Sequence, residues 1–151
     1  MHPFPHRYHV QAQGSASGSV RVTTQDAPDL ETSAPPEFDG PPGYWSPESL
    51  LVASVADCYI LSFRAVARAS KLEWSSLDVD VEGVLDRVEG VSRFVRFTVK
   101  PRLSISSPER ETLARTVLDK AKRTCLVTNS LNAECDLVPT VTFAEAAPAA
   151  Q

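Results

Sequence analysis

Ser46-Pro47-Glu48-Ser49-Leu50-Leu51-Val52-Ala53-Ser54-Val55-Ala56-Asp57-Cys58-Tyr59-Ile60-Leu61-Ser62-Phe63-Arg64-Ala65-Val66 decides how this chain is organised. Ser46-Pro47-Glu48 is a helix start. Serine caps free N–H groups, proline suits the first helical position, and glutamate favours the positive end of the helix dipole. The helix should run to about Lys71. Between Leu50 and Val66 it is apolar on nearly every side, so other elements or a second chain must surround it. That demand is uncommon for a chain of 151 residues and points to a homodimer. The stretch is short for a bilayer and carries Asp57 and Arg64, which argues against membrane spanning.

Upstream, Tyr8, Val10 and Ala12 alternate with polar residues, as do Val20 and Val22, with the Gly14–Gly18 turn segment between them. Five prolines (Pro28, Pro35, Pro36, Pro41, Pro42) break the 26–44 stretch, apart from a short strand near Glu31–Ala34. Downstream, Leu77, Val79 and Val81 alternate with acidic residues. After a turn at Glu89-Gly90, Val91, Val95, Phe97, Val99, Leu103 and Ile105 keep a period of two against Arg96, Thr98, Lys100 and Arg102. Ser107-Pro108-Glu109 repeats the helix-start pattern, and Leu113, Val117, Ala121 and Cys125 recur every four residues on the helix it opens. Residues 134–143 read as one final strand, with Cys135, Leu137, Val141 and Phe143 on one face, and the tail from Ala144 to Gln151 is expected to fray. The whole is a single α+β domain with mostly antiparallel pairing and a core from about Tyr8 to Phe143.

Composition excludes several classes of function. A net charge of -4 offers no basic field for phosphates, so no nucleic-acid partner is expected. The first residues lack the apolar run of a secretory signal, and three cysteines cannot all pair within one chain. The expected setting is therefore a reducing cytoplasm with free thiols. There is no Cys-x-x-Cys, and the three histidines (His2, His6, His9) cluster at the N-terminus, so neither a metal nor another cofactor is expected.

The cysteines are the candidate chemistry. Cys58 sits mid-helix, where a small packed hydrophobe is the commoner fate. Asp57 beside it would oppose a thiolate if the two were close in space. Cys125 closes the second helix beside Lys122 and Arg123, which favour a thiolate, whereas a helix C-terminus opposes one unless Thr124 caps a fresh turn. A packed cysteine on the apolar stripe is the alternative reading. Cys135 lies on the apolar face of the last strand and reads as core.

Two segments resemble the OsmC/Ohr family of thiol-dependent peroxidases. Ser46-Pro47-Glu48-Ser49-Leu50 is similar to the family's Asn-Pro-Glu-x-Leu opening, with Cys58 at the position of the peroxidatic cysteine. Cys125-Leu126-Val127-Thr128-Asn129 is similar to its Cys-Pro-Val-Ser-Asn segment, which carries the resolving cysteine. The resemblance implies an intertwined homodimer with a mostly antiparallel sheet wrapped around a long central buried helix. It also implies that Cys58 attacks an organic hydroperoxide and becomes a sulfenic acid. Cys125 then closes a disulfide, and an external dithiol reductant, the only auxiliary needed, reopens it. Leu51, Val55, Tyr59 and Phe38 are expected to wall the substrate site.

This chain departs from the family pattern in three places. The family's catalytic arginine, held by the motif glutamate (here Glu48), sits where this chain has Ala16 or, in the other branch, Glu37. Arg21 is a candidate substitute, although a solvated strand residue is the simpler reading. Asp57 replaces a small neutral residue, and Leu126 replaces proline. The leading function is organic hydroperoxide reduction. The alternatives are a non-catalytic dimer that binds a small apolar ligand or partner, and a thiol redox sensor.

Overall fold

The computed structural model describes residues 1–145; of the tail expected to fray, residues 146–151 lie outside the described residues. The chain groups into two compact units, Met1–Leu51 and the residues from Val52 onward.

In the first unit, β1 (Gln11–Gln13), β2 (Val20–Thr23) and β3 (Leu30–Thr32) form an antiparallel three-stranded sheet in that order. The sheet leads into the long helix through a bridge between Thr32 and Trp45, with the Ser33 amide donating to the Trp45 carbonyl at 3.0 Å. Helix α1 (Pro47–Ala69) then starts as its sequence implies. Buried Ser46 accepts from the Ser49 amide at 3.1 Å, and Ser49 Oγ accepts from the Ser46 amide at 2.8 Å. This is a reciprocal capping pair in which a serine takes the place usually held by glutamate or glutamine.

The second unit packs two helices on one face of a four-stranded sheet. Most of α1 lies here and buries Val55, Tyr59, Phe63, Val66 and Ala67. It ends in a Schellman motif, with the Lys71 amide on the Arg68 carbonyl and the Leu72 amide on the Ala67 carbonyl. Lys71 takes the left-handed conformation at φ 53 that usually belongs to glycine. Strands β4 (Ser76–Val88) and β5 (Val91–Ile105) pair as a long hairpin whose two-residue turn, Glu89-Gly90, has both φ angles positive. One face carries Asp78 opposite Arg102 and Asp80 opposite Lys100, all exposed. The other face carries Phe97, Val99, Pro101, Leu103 and Ile105, all buried. Helix α2 (Glu111–Arg123) sets Ala114, Val117, Leu118 and Ala121 into the buried layer. Each fully buried Val, Leu or Phe in such a layer contributes about 1.5–3 kcal/mol before chain entropy is counted.

In the first unit the strand expected from Tyr8 is confined to Gln11–Gln13, and Tyr8 and Val10 are exposed rather than part of a core. In the second unit the structure corrects three further expectations. First, the last strand is two strands, β6 (Glu134–Leu137) and β7 (Thr140–Phe143), both parallel to β5. Pro139 interrupts the run, and the crossover through α2 brings the chain back in the same direction as β5. Second, the period of two in β5 breaks at a bulge opposite Val84/Leu85. There Val95 is the extra residue and Phe94 turns in to stack on Phe97 at 5.1 Å between ring centres. Third, the second helix begins as a 3-10 turn over Pro108–Arg110.

Gly83 shows how tight the layer is. A Cβ there would lie 2.8 Å from Val52 Cγ2, 3.0 Å from Phe94 Cε1 and 3.1 Å from Phe97 Cε1. Gly83→Val should lower the unfolding free energy by about 1–3 kcal/mol through overpacking, measured as a lower urea midpoint. An unchanged midpoint would show that the layer has room the distances deny.

Candidate thiol site

Cys58 and Cys125 come from different helices, and the fold joins them. Cys58 lies on α1 between buried Val55 and Tyr59 and is itself half-buried. Helix α2 ends at Arg123, with the Thr124 amide and hydroxyl both bonded to the Lys120 carbonyl. The chain then turns inward. Cys125, only 1% exposed, takes an extended conformation as the N-cap of the short helix α3 (Leu126–Asn129). The sequence left open whether a fresh turn starts here; it does, and the residue that caps it is Cys125 rather than Thr124.

The Cys58 and Cys125 thiols lie close enough that each bears on the other's proton. Burial pushes the Cys125 thiol above its ordinary value, Thr128 pulls it back through its hydroxyl and amide, and Cys58 pushes it up again. Cys125 is therefore a protonated partner at neutral pH, and all three cysteines are free. The Lys122 charge reaches Cys135, whose thiol is nonetheless raised, first by burial. Cys135 faces the helix-covered side of the sheet, because Arg96 holds its neighbours Glu134 (2.7 Å) and Asp136 (2.6 Å) on the opposite side.

The remaining candidates separate from this pair. Glu48 is ten residues upstream of Cys58 on the same helix, about 15 Å along an α-helical axis, so it does not meet the thiol along the helix itself. Its Oε2 is buried and finds no hydrogen-bond partner among the described residues. Arg21 is engaged elsewhere: its exposed guanidinium binds Asp29. Asp57 is exposed, turned about 100° around α1 from Cys58. Of the expected apolar walls, Val55 and Tyr59 are buried in the core at 0% and 1% exposure and cannot line an open substrate site. Tyr59 instead donates its hydroxyl to the Leu118 carbonyl of α2 at 2.9 Å. This bond had no signal in the sequence beyond the apolar stripes on the two helices, whereas the turn at Thr124-Cys125 was among the readings the sequence left open. Among the described residues no three His, Cys, Asp or Glu side chains converge as a metal would require.

Comparison with known proteins places this α+β fold with its two neighbouring cysteines more closely. The family model for OsmC-like proteins matches residues 40–139, and the chain belongs to that family. It is 26% identical over 137 residues to the uncharacterized protein YmaD of Bacillus subtilis, covering 87% of this chain and 91% of that one. It is 28% identical over 135 residues to an organic hydroperoxide resistance protein of Xanthomonas axonopodis, covering 88% and 92%. Among solved structures, an OsmC-like protein of unknown function from Vibrio cholerae superposes with a TM-score of 0.78 at 16% identity, over 91% of this chain and 100% of that chain. An organic hydroperoxide resistance protein from Legionella pneumophila gives 0.71 at 23% identity, over 93% and 99%. At these identities the structures establish the fold alone.

The raised Cys125 thiol has a consequence for stability. The folded protein keeps this proton to higher pH than the unfolded chain does. The stability it contributes is therefore complete below the ordinary thiol value of about 8.5 and is lost as pH climbs through that value toward the raised folded one. Cys125→Ala should show a flatter fall of urea midpoint between about pH 8 and pH 10 than the parent chain. Parallel profiles would mean that Cys125 titrates as it does in water.

Proposed function

We propose that this protein reduces organic hydroperoxides through Cys58 and Cys125 as a homodimer in a reducing cytoplasm. The observation that carries this reading is that Cys58 on α1 and Cys125 at the inward turn before α3, far apart in the chain, are brought close enough to act on each other. Exposure assigns the order: half-buried Cys58 meets substrate first, while Cys125, at 1% exposure, is reached only from Cys58. The Cys58 thiolate attacks the terminal oxygen of R–O–OH. The O–O bond breaks, the sulfur is oxidised to S–OH, and the alkoxide leaves and takes a proton as the alcohol. Cys125 sulfur then attacks the sulfenic sulfur, forming the disulfide and expelling water, and an external dithiol restores both thiols by exchange.

Glu48 Oε2, buried without a hydrogen-bond partner among the described residues, is free to accept from a cationic group, the role the family motif gives this glutamate. An organic rather than inorganic peroxide is favoured by the apolar character of α1 and by the hydroperoxide resistance named for the Xanthomonas relative. The homodimer is supported by what a single protomer leaves uncovered. Its α1 buries one stripe only, and Leu61 in the middle of the helix is 52% exposed. Such apolar area is what a second copy covers.

One equivalent of cumene hydroperoxide should link Cys58 to Cys125 in peptide maps. Cys58→Ser should abolish turnover with a dithiol, and Cys125→Ser should leave Cys58 as a sulfinic acid. Two untouched thiols in the wild type would overturn the assignment. Light scattering at micromolar concentration should return twice the chain mass of 16.4 kDa. A folded monomer would remove the dimer from the proposal.

A further inference from the structure

We propose that Tyr59 is a positioning residue whose buried hydroxyl fixes the register of α1 against α2, so that Cys58 sulfenic acid is captured by Cys125. This rests on the peroxide-reducing reading above and assigns a specific step within it. Tyr59 follows Cys58 directly and is 1% exposed, and its hydroxyl donates to the Leu118 carbonyl at 2.9 Å. Leu118 belongs to the same helix that delivers Cys125 at its inward turn.

The neighbours of Tyr59 on the α1 stripe, Val55 and Phe63, are fully buried. Apolar contact of that kind is non-directional. It fixes how closely a layer packs but only weakly where along its axis a helix rests. A hydrogen bond requires a particular distance and angle, and therefore a particular axial position and rotation. Disulfide closure is more demanding still: the sulfurs must come to about 2.05 Å and the α-carbons within about 7 Å. A slip of one helical turn, about 5.4 Å, would part the pair. The hydroxyl on the residue beside Cys58 opposes that slip where it matters. The Leu118 carbonyl also serves as the ordinary acceptor within its own helix, so losing the tyrosine hydroxyl orphans nothing on α2. A variant without the hydroxyl should fold.

Tyr59→Phe tests this. After one equivalent of cumene hydroperoxide, the sulfenic acid, trapped on Cys58 with dimedone, should form at the wild-type rate. Closure of the Cys58–Cys125 disulfide should slow by about threefold to tenfold, as expected for one lost hydrogen bond. With excess peroxide, a correspondingly larger share of Cys58 should reach the sulfinic acid. Val117→Ala is the control, because it loosens the same buried layer without touching the hydroxyl. It should melt lower, yet partition as the wild type does. Wild-type closure rates in Tyr59→Phe would overturn this inference alone, as would an equal loss in Val117→Ala. A wild-type protein that forms no such disulfide would overturn the functional reading and this inference with it.

Discussion

Two helices that share one face of a sheet must agree on where along their lengths they touch. Here that agreement is expressed by Tyr59, which donates to the Leu118 carbonyl inside a layer otherwise made of Val, Phe, Leu and Ala. Burying a phenol costs free energy unless its hydroxyl is bonded, so the layer tolerates Tyr59 in one placement. Cys58 precedes that point on α1, and Cys125 follows on the chain that α2 delivers, close enough to feel Cys58. The thiol site is thus a product of packing between elements, and no single loop or turn holds it.

This explains which features were legible in the sequence. The start of α1 was, because Ser46, Pro47 and Glu48 act locally, as caps do, and the observed cap uses Ser46 as expected. The β4–β5 hairpin was also legible, because alternation and the Glu89-Gly90 turn are short-range signals. The two cysteine motifs gave the family, which the comparison of residues 40–139 bears out. What could not be read depends on contacts distant in the chain. Val55 and Tyr59 looked like substrate walls because a helix apolar on every side does not say which stripe faces inward; the chain buries that stripe, with Tyr59 bonded to α2. Lys122 was read beside Cys125, and its reach to Cys135 on strand β6 had no short-range signal.

The departures from the family pattern also look different once placed. Asp57 is exposed and projects from a different side of α1 than Cys58. Arg21 is committed to Asp29 on the small sheet, so the helix-start carboxylate of Glu48 gains no cation from it.

The interruption between β6 and β7 bears on how the sheet assembles. Strand β5 is monotonous enough in its alternation of apolar and polar residues to invite misalignment. Pro101, in its interior, has no N–H to give. It falls where β6 has ended, at Val99 opposite Leu137, and β7 has not yet begun, at Arg102 opposite Thr140. That gap is where a missing donor costs least. A slide of β5 that set Pro101 against either short strand would leave a buried carbonyl without its donor, a penalty of about 1–3 kcal/mol. The proline thus serves as an alignment mark for the sheet: it lies flush at one setting of the strand and is penalised at its neighbours.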